Sequence, residues 1–432
     1  MQSHRILIIH KKNRTMKWLA ISPDTHQSSV ITIGVKVFVI LLFLNVISAS
    51  GQVSSVKKAK SPWHEHPELF SAPEVTWVDS VGPDYSLFYE GGIWQGKKTK
   101  VFAYYSVPEK TSTKIPAMVL VHGGGGKAYQ NWAKQWAGYG YAAISMNLYG
   151  KDNEGNQVGY LRHIDTDADF NVEETKLFDS WYYQAVAAII RAVSFLESRS
   201  EVNKEKIGIM GISWGGYNTS VTVGVDERLS AAIIVYGCGE LYKNSVWTRE
   251  GHVFSETYKQ QLDPANYLPN AKIPIFWLNN NTDHFFPLDS FQSSRKLTKG
   301  KNYARIQDNY SHGYETPWKT EDIRRFADAF LLNGDPWPEI RSSGIKKSMI
   351  CAKVDQKIEK AWMVYTLETD WMHKSVRKEG HEIWVQKEVT TDKSGKAVQS
   401  EIPENAVAVY LHMKDSKERE FSTDYFIPKD RK

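Results

Sequence analysis

The run Lys206-Ile207-Gly208-Ile209-Met210-Gly211-Ile212-Ser213-Trp214-Gly215-Gly216 decides the fold. Lys206 to Ile212 reads as a short, continuously apolar strand, and a helical pattern opens after Gly215, so Ser213 falls on a sharp strand-to-helix turn. A Gly-x-Ser-x-Gly pattern in that setting lifts the serine hydroxyl out of the sheet edge and leaves the following amide, Trp214 N–H, facing the same spot. Without the strand and helix around it, the pattern is an ordinary glycine turn.

The surroundings have the matching architecture. Two strand-like runs, Leu87 to Trp94 and Thr99 to Val107, flank Gln95-Gly96-Lys97 and read as a hairpin. Apolar strands then alternate with helical patterns. The strands are Ala117 to Val121, Tyr141 to Leu148, Lys206 to Ile212, Ser230 to Tyr236, Pro274 to Asn279 and Tyr303 to Gln307. The helices lie near Tyr129 to Trp136, Leu177 to Leu196, after Gly215 and at Ile323 to Leu332. Continuously apolar strands separated by helices belong in a mostly parallel sheet covered on both faces, an α/β-hydrolase fold. On the long helix, Trp181, Ala185, Ile189, Ala192 and Leu196 form one apolar stripe. The polar segment 150–176 has no period and reads as a lid or substrate loop over the strand ends.

A second signal sits at the end of strand Ala117 to Val121: His122-Gly123-Gly124-Gly125-Gly126. Four glycines are costly in chain entropy unless the backbone must come close to something, and close-approaching amides can hold an oxyanion. Gly124 or Gly125, with Trp214, is the expected donor set. A serine hydroxyl also needs a histidine to take its proton and a carboxylate to hold that histidine, in the chain order Ser, acid, His. Asp283 follows strand Pro274 to Asn279, and His312 follows the next strand in Tyr310-Ser311-His312-Gly313. His284 is the competing base, but a ring next to Asp283 on one turn is badly placed to reach both that carboxylate and Ser213. Asp289 reads as a helix cap.

At these residues the sequence resembles the secreted bacterial hydrolases grouped as acetyl xylan esterase-like or dienelactone hydrolase-like proteins. The resemblance runs from about Val75 to the C-terminus. It rests on the glycine loop, on Gly211 to Tyr217, Val235-Tyr236-Gly237-Cys238-Gly239 and Thr282-Asp283-His284-Phe285-Phe286-Pro287, and on Ser311-His312-Gly313. It implies the same catalytic set, Ser213, Asp283 and His312, together with a C-terminal β-sandwich. Where such relatives often carry Asp, this chain reads Asn147-Leu148-Tyr149-Gly150.

The rest of the chain bounds the organisation. At 432 residues it exceeds one usual core. Residues 1–51 hold Arg5, Lys11, Lys12, Arg14, Lys17 and Lys36 against Asp24, so they account for the whole formal charge of +5. The remainder is neutral and offers no field for nucleic acid or anionic lipid. The basic stretch, the apolar run Val37 to Ile47 and Ser48-Ala49-Ser50-Gly51 read as a signal peptide cleaved near Gly51/Gln52, which places the mature protein outside the cell or in the periplasm with no stable membrane insertion; an uncleaved N-terminal anchor is the alternative reading of the same segment. The run is shorter than the ~20 residues of a membrane span.

A catalytic domain over 52–335 is expected, then a boundary at Asn333-Gly334-Asp335-Pro336-Trp337-Pro338. An all-β module follows over 340–432, with strands at Ser348 to Val354, Lys357 to Thr366, Glu382 to Val389, Ala406 to Met413 and Glu418 to Ile427. Cys238 and Cys351 are too few for a disulfide framework, and Cys238 reads as a buried free thiol. No residue cluster has convincing metal-ligand spacing, His64-Glu65-His66 included. The chemistry needs neither metal nor cofactor.

The functional expectation is therefore a serine carboxylesterase that removes acetyl or other small acyl groups from carbohydrate, in polysaccharide degradation. A prolyl-oligopeptidase-type peptidase is the first alternative; it normally carries a large N-terminal propeller, and only about seventy residues separate the expected cleavage site from the glycine loop, far short of such a domain. A non-catalytic carbohydrate-binding protein on the same fold is the other, and it predicts a missing triad member. Most of the tryptophans, Trp132 and Trp136 among them, are expected in the core, while Trp214 beside the nucleophile is a candidate to narrow the acyl pocket or stack on a sugar ring.

Overall fold

The computed structural model describes residues 61–110, 113–159, 170–308, 312–372 and 383–428. The expected signal segment and residues 160–169 of the expected substrate loop lie outside them. Residues Lys60–Lys432 form one compact unit.

Nine strands make the central sheet: β1 Val75–Val81, β2 Asp84–Trp94, β3 Lys97–Ser106, β4 Ile115–Val121, β5 Ala142–Met146, β6 Val202–Ile212, β7 Ala231–Val235, β8 Ile275–Asn280 and β9 Asn302–Gln307. Their order is β1-β2-β3-β5-β4-β6-β7-β8-β9. β1, β2 and β3 pair antiparallel, β3 joins β5 antiparallel, and from β5 to β9 every pairing is parallel. β5, β7 and β8 are buried along their whole length, as parallel strands under helices on both faces must be. One strand more than the expected hairpin opens the sheet, because β1 alternates with polar residues and has exposed Trp77 and Val78, which hides it from a search for apolar runs.

The main helices are α1 Gln130–Gly138, α2 Trp181–Ser198, α3 Trp214–Val225, α4 Leu288–Leu297 and α5 Asp322–Leu331. The expected long helix from Leu177 is two elements: a tight turn Glu174–Asp179, then α2. Ser180 separates them by turning extended and accepting the Tyr183 N–H on its hydroxyl, a cap worth about 1 kcal/mol. α2 is also buried all round from Trp181 to Leu196, not along one stripe. The donors of its two large polar residues go to backbone: Gln184 Nε2 donates to Ile93 and Phe178 carbonyls, and Arg191 to those of Glu68, Ser71 and Glu90.

Beyond Trp337 the regular elements of the described residues are all strands. β10 Ile340–Lys346, β11 Met349–Val354 and β14 Ala397–Glu401 form a three-stranded sheet, and β13 Val385–Val389, β12 Ile358–Thr366, β15 Ala408–Asp415 and β16 Glu420–Ser422 a four-stranded one. Their inner faces share Ile350, Ile358, Met363, Val398, Leu411 and Met413. β10 and β14 were not expected from the sequence; both are short, and β10 is largely exposed. β16 lies against the hydrolase sheet, with Ile306 N–H donating to Ser422 Oγ (3.0 Å). Buried Arg305 on β9 bridges Asp322 of α5 and Glu420 of β16. Among the described residues, no helix is long and apolar enough to cross a membrane.

Candidate active site

The six parallel strands all end at one edge, and the loops leaving that edge carry the chemistry. At the end of β6, Ser213 sits at φ 60° and ψ −123°, a strained conformation for a residue with a side chain. The strain persists because the turn is packed from every side: a Cβ on Gly211 would lie 2.1 Å from Gly215 O, and one on Gly215 would lie 2.2 Å from Val121 O. Tyr217 N–H donates to Ser213 O at 2.9 Å, starting α3 at once.

The loop after β8 carries Asp283. Its Oδ1 accepts the amides of Phe285 and Phe286, both at 2.9 Å, and its Oδ2 lies 2.7 Å from His312 Nδ1. His312, in the loop after β9, brings Nε2 to 2.8 Å from Ser213 Oγ. Because the carboxylate accepts at Nδ1, that nitrogen carries the proton and Nε2 is left to accept from the hydroxyl. The three residues, 70 and 29 positions apart in sequence, thus form one hydrogen-bonded line. Tyr236, Phe285 and Phe286 wall the imidazole, with ring centroids at 4.6, 5.0 and 5.9 Å. His284 packs tilted against Phe285 (4.1 Å), and burial holds its pKa below the usual value. His284 is not part of the Ser213–His312–Asp283 line.

The glycine loop presses against Ser213. A Cβ on Gly123 would lie 2.7 Å from Ser213 Cβ, and one on Gly124 would lie 3.1 Å from Trp214 Cδ1. The loop is aimed by His122, a residue whose part was not legible in sequence. Its Nδ1 donates to Gly123 O (2.8 Å) and its Nε2 accepts the Leu148 N–H (2.9 Å), tying the end of β4 to the end of β5. Burial depresses the His122 pKa to about 4, so the ring stays neutral and keeps this tautomer. Since Gly123 C=O points to His122, the N–H of Gly124 on the same trans peptide points the other way.

Of the two glycines expected to donate, Gly125 has its N–H engaged, donating to Tyr149 OH at 3.1 Å. Gly124 O accepts from Tyr314 OH at 2.8 Å, so two tyrosine hydroxyls fix the Gly124–Gly125 peptide at both ends. Sequence reasoning missed both; the only available signal for Tyr314 was its place two residues after His312.

Trp214 is a further correction. It is 2% exposed and packs against Trp247 (4.9 Å), Tyr217 (5.3 Å) and Phe286 (5.7 Å), so its ring is core and cannot stack on a sugar. Trp132 and Trp136 are buried as expected. Asn147 is a loop former: buried, with Oδ1 accepting the amides of Tyr149 (2.8 Å) and Lys151 (3.4 Å). Beside the glycine loop lies a cavity of about 520 Å³, lined by Gly126, Asn147, Tyr149, Lys151, Asp152 and Gln157 among others. His64 stacks on Phe70 and His66 bonds Glu68; among the described residues no group of side chains is placed to hold a metal ion. Cys238 and Cys351 are both free.

With this geometry in place, comparison with known proteins is decisive for the family. The dienelactone hydrolase family model matches residues 101–325, from within β3 to within α5, a span that contains Ser213, Asp283, His312 and the glycine loop. The chain belongs to the dienelactone hydrolase family. As a member of that family with serine at the elbow, it is a serine hydrolase. Among solved structures, an acetyl xylan esterase from Paenibacillus sp. R4 superposes with a TM-score of 0.52 at 21% identity, covering 62% of this chain and 93% of that one; it shares the fold. Acetyl xylan esterase 1 from Thermoanaerobacterium sp. JW/SL YS485 gives 0.49 at 16%, covering 63% and 92%. A curated relative, the uncharacterized peptidase YuxL of Bacillus subtilis (strain 168), is 24% identical over 220 residues, which is 46% of this chain and 31% of that protein. The match thus spans about a third of that relative's length.

Proposed function

We propose that this dienelactone hydrolase family member is an exported carboxylic ester hydrolase that removes acetyl or similarly small acyl groups from a carbohydrate, with Ser213 as nucleophile, His312 as base and Asp283 as the acid that orients it. The observation that carries the reading is the line of contacts at 2.7 and 2.8 Å from Asp283 through His312 to Ser213. In this mechanism His312 Nε2 takes the hydroxyl proton as Ser213 Oγ attacks the ester carbonyl, and Asp283 stabilises the imidazolium that forms. The oxyanion is met by Gly124 N–H and by Trp214 N–H, which opens α3 with the positive end of the helix dipole behind it. His312 then returns the proton to the leaving alcohol, and a water repeats the sequence to free the acid.

An ester preference follows from chemistry: an alkoxide leaves with less help from a proton than an amine does, so this apparatus suffices for esters. The cavity beside the glycine loop, with hydroxyl, amide and charged groups on its walls, suits the hydroxyl-rich alcohol portion of such a substrate. The acetyl xylan esterase neighbour is in keeping with it. Export rests on the basic, apolar and small-residue order of residues 1–51. A peptidase is the second reading, favoured by the name of the Bacillus relative.

The test is kcat/KM for acetyl, butyryl and octanoyl esters of one alcohol against an aminoacyl amide. Acetyl is expected to lead. A faster amide refutes the esterase reading, and a preference for octanoyl refutes the small acyl pocket.

A further inference from the structure

The loop that carries Asp283 is held from outside the hydrolase sheet. Asn281, two residues before the acid, is 2% exposed and has neighbours on three sides. Its N–H donates to Gln307 O (3.0 Å), extending the β8–β9 ladder by one bond. Its side-chain amide donates to Asp308 Oδ1 (3.1 Å), at the root of the loop that leads to His312. The remaining bonds come from the C-terminal β module. Tyr410 OH on β15 accepts from Asn281 Nδ2 at 3.2 Å, and Trp384 Nε1, just before β13, donates to Asn281 O at 3.1 Å. Both aromatic residues are buried, at 0% and 2% exposure, and they pack edge-on at 5.5 Å. Trp371 packs edge-on against Trp384 at 5.0 Å, and Tyr425 against Trp371 at 5.3 Å, so the contact is backed by a block of rings and not by a lone side chain.

We infer that the C-terminal β module is part of the catalytic apparatus: Trp384 and Tyr410 are positioning residues that fix Asn281 and, through it, the register between the acid loop and the base loop. This rests on the reading of Ser213, His312 and Asp283 as a triad. The reasoning is geometric. Within its loop, Asp283 is oriented by the amides of Phe285 and Phe286. Those bonds fix the carboxylate relative to its own turn, but not the turn relative to His312. Asn279 Nδ2 and Val246 N–H also tie the turn, through the Phe286 and His284 carbonyls, but Asn281 is where acid loop, base loop and module meet. Buried Asn281 O has Trp384 as its indole donor, and loss of that donor leaves the carbonyl to find another by moving the loop. Shifts well under 1 Å between base and nucleophile are enough to slow a triad.

Trp384→Phe and Tyr410→Phe remove one polar group each and keep the ring. Each is expected to lower kcat for an acetyl ester about tenfold with KM within twofold of wild type, and to slow fluorophosphonate labelling of Ser213 by the same factor. Val398→Ala thins the core between the two module sheets, away from Asn281. It is expected to lower thermal stability while kcat of the folded enzyme stays within twofold of wild type. Wild-type kcat in either aromatic variant overturns the proposal, and so does an equal loss of kcat in Val398→Ala, which would make the module a general stabiliser. Ser213→Ala is inactive in all these cases if the triad reading holds, so its activity reports on that reading alone.

Discussion

Gly123→Ala puts the assembly of the oxyanion loop to a direct test. The new Cβ would sit 2.5 Å from Ile212 O and 2.7 Å from Ser213 Cβ, against an ordinary contact distance beginning at 3.4 Å. Ile212 O belongs to a strand inside the sheet, and Ser213 is already held in a strained turn, so neither can retreat cheaply. The glycine loop must move instead, by about 0.9 Å at that point, and a misplacement of this order costs roughly 10²-fold in rate, or about 2.7 kcal/mol of transition-state stabilisation. The loss belongs in kcat, because the oxyanion bonds form fully only as the carbonyl becomes tetrahedral. Steady-state kinetics on a chromogenic acetyl ester, normalised to active sites by fluorophosphonate titration, measure it. A folded variant with kcat within threefold of wild type would refute the claim that the loop is pinned against the nucleophile. Gly138→Ala, at the end of α1 with no atom within 4 Å of the added methyl, is the matched control and is expected to leave kcat unchanged.

Asp283→Asn keeps the shape of the acid but presents no full charge to His312 Nδ1; kcat is expected to fall by roughly 10⁴-fold with little change in melting temperature, read by kinetics and circular dichroism. His122 predicts a pH effect on stability. Its folded pKa of about 4 lies below the free value of 6.5, so between those limits the unfolded chain binds a proton that the folded chain does not, and stability is lost as pH falls through that window. The contribution approaches about 3 kcal/mol, and urea midpoints between pH 7 and 4 should fall more steeply for wild type than for His122→Gln. Breaking the bridge between the sheets with Arg305→Met leaves buried Asp322 without its cation and is expected to destabilise by about 3–5 kcal/mol, measured by urea unfolding.

The sequence by itself determined the parallel sheet and the place of the elbow, and it picked out Ser213, Asp283 and His312 as residues that meet in one hydrogen-bonded line, because each rests on local chemistry. Apolar runs mark buried strands, glycines mark the turn around the serine, and the loops that follow successive strands all open at one sheet edge. Tertiary structure decided what depends on approach between segments far apart in the chain. No local pattern told Gly124 from Gly125; the Tyr149 hydroxyl did, by taking one of the two amides. Trp214 beside the nucleophile looked free to meet substrate until Trp247, Tyr217 and Phe286 were seen to enclose it. The hold of Trp384 and Tyr410 on Asn281 spans 103 and 129 residues. A hydrogen bond of that separation leaves no trace in periodicity or spacing, since it depends on how two sheets dock and not on how either one folds.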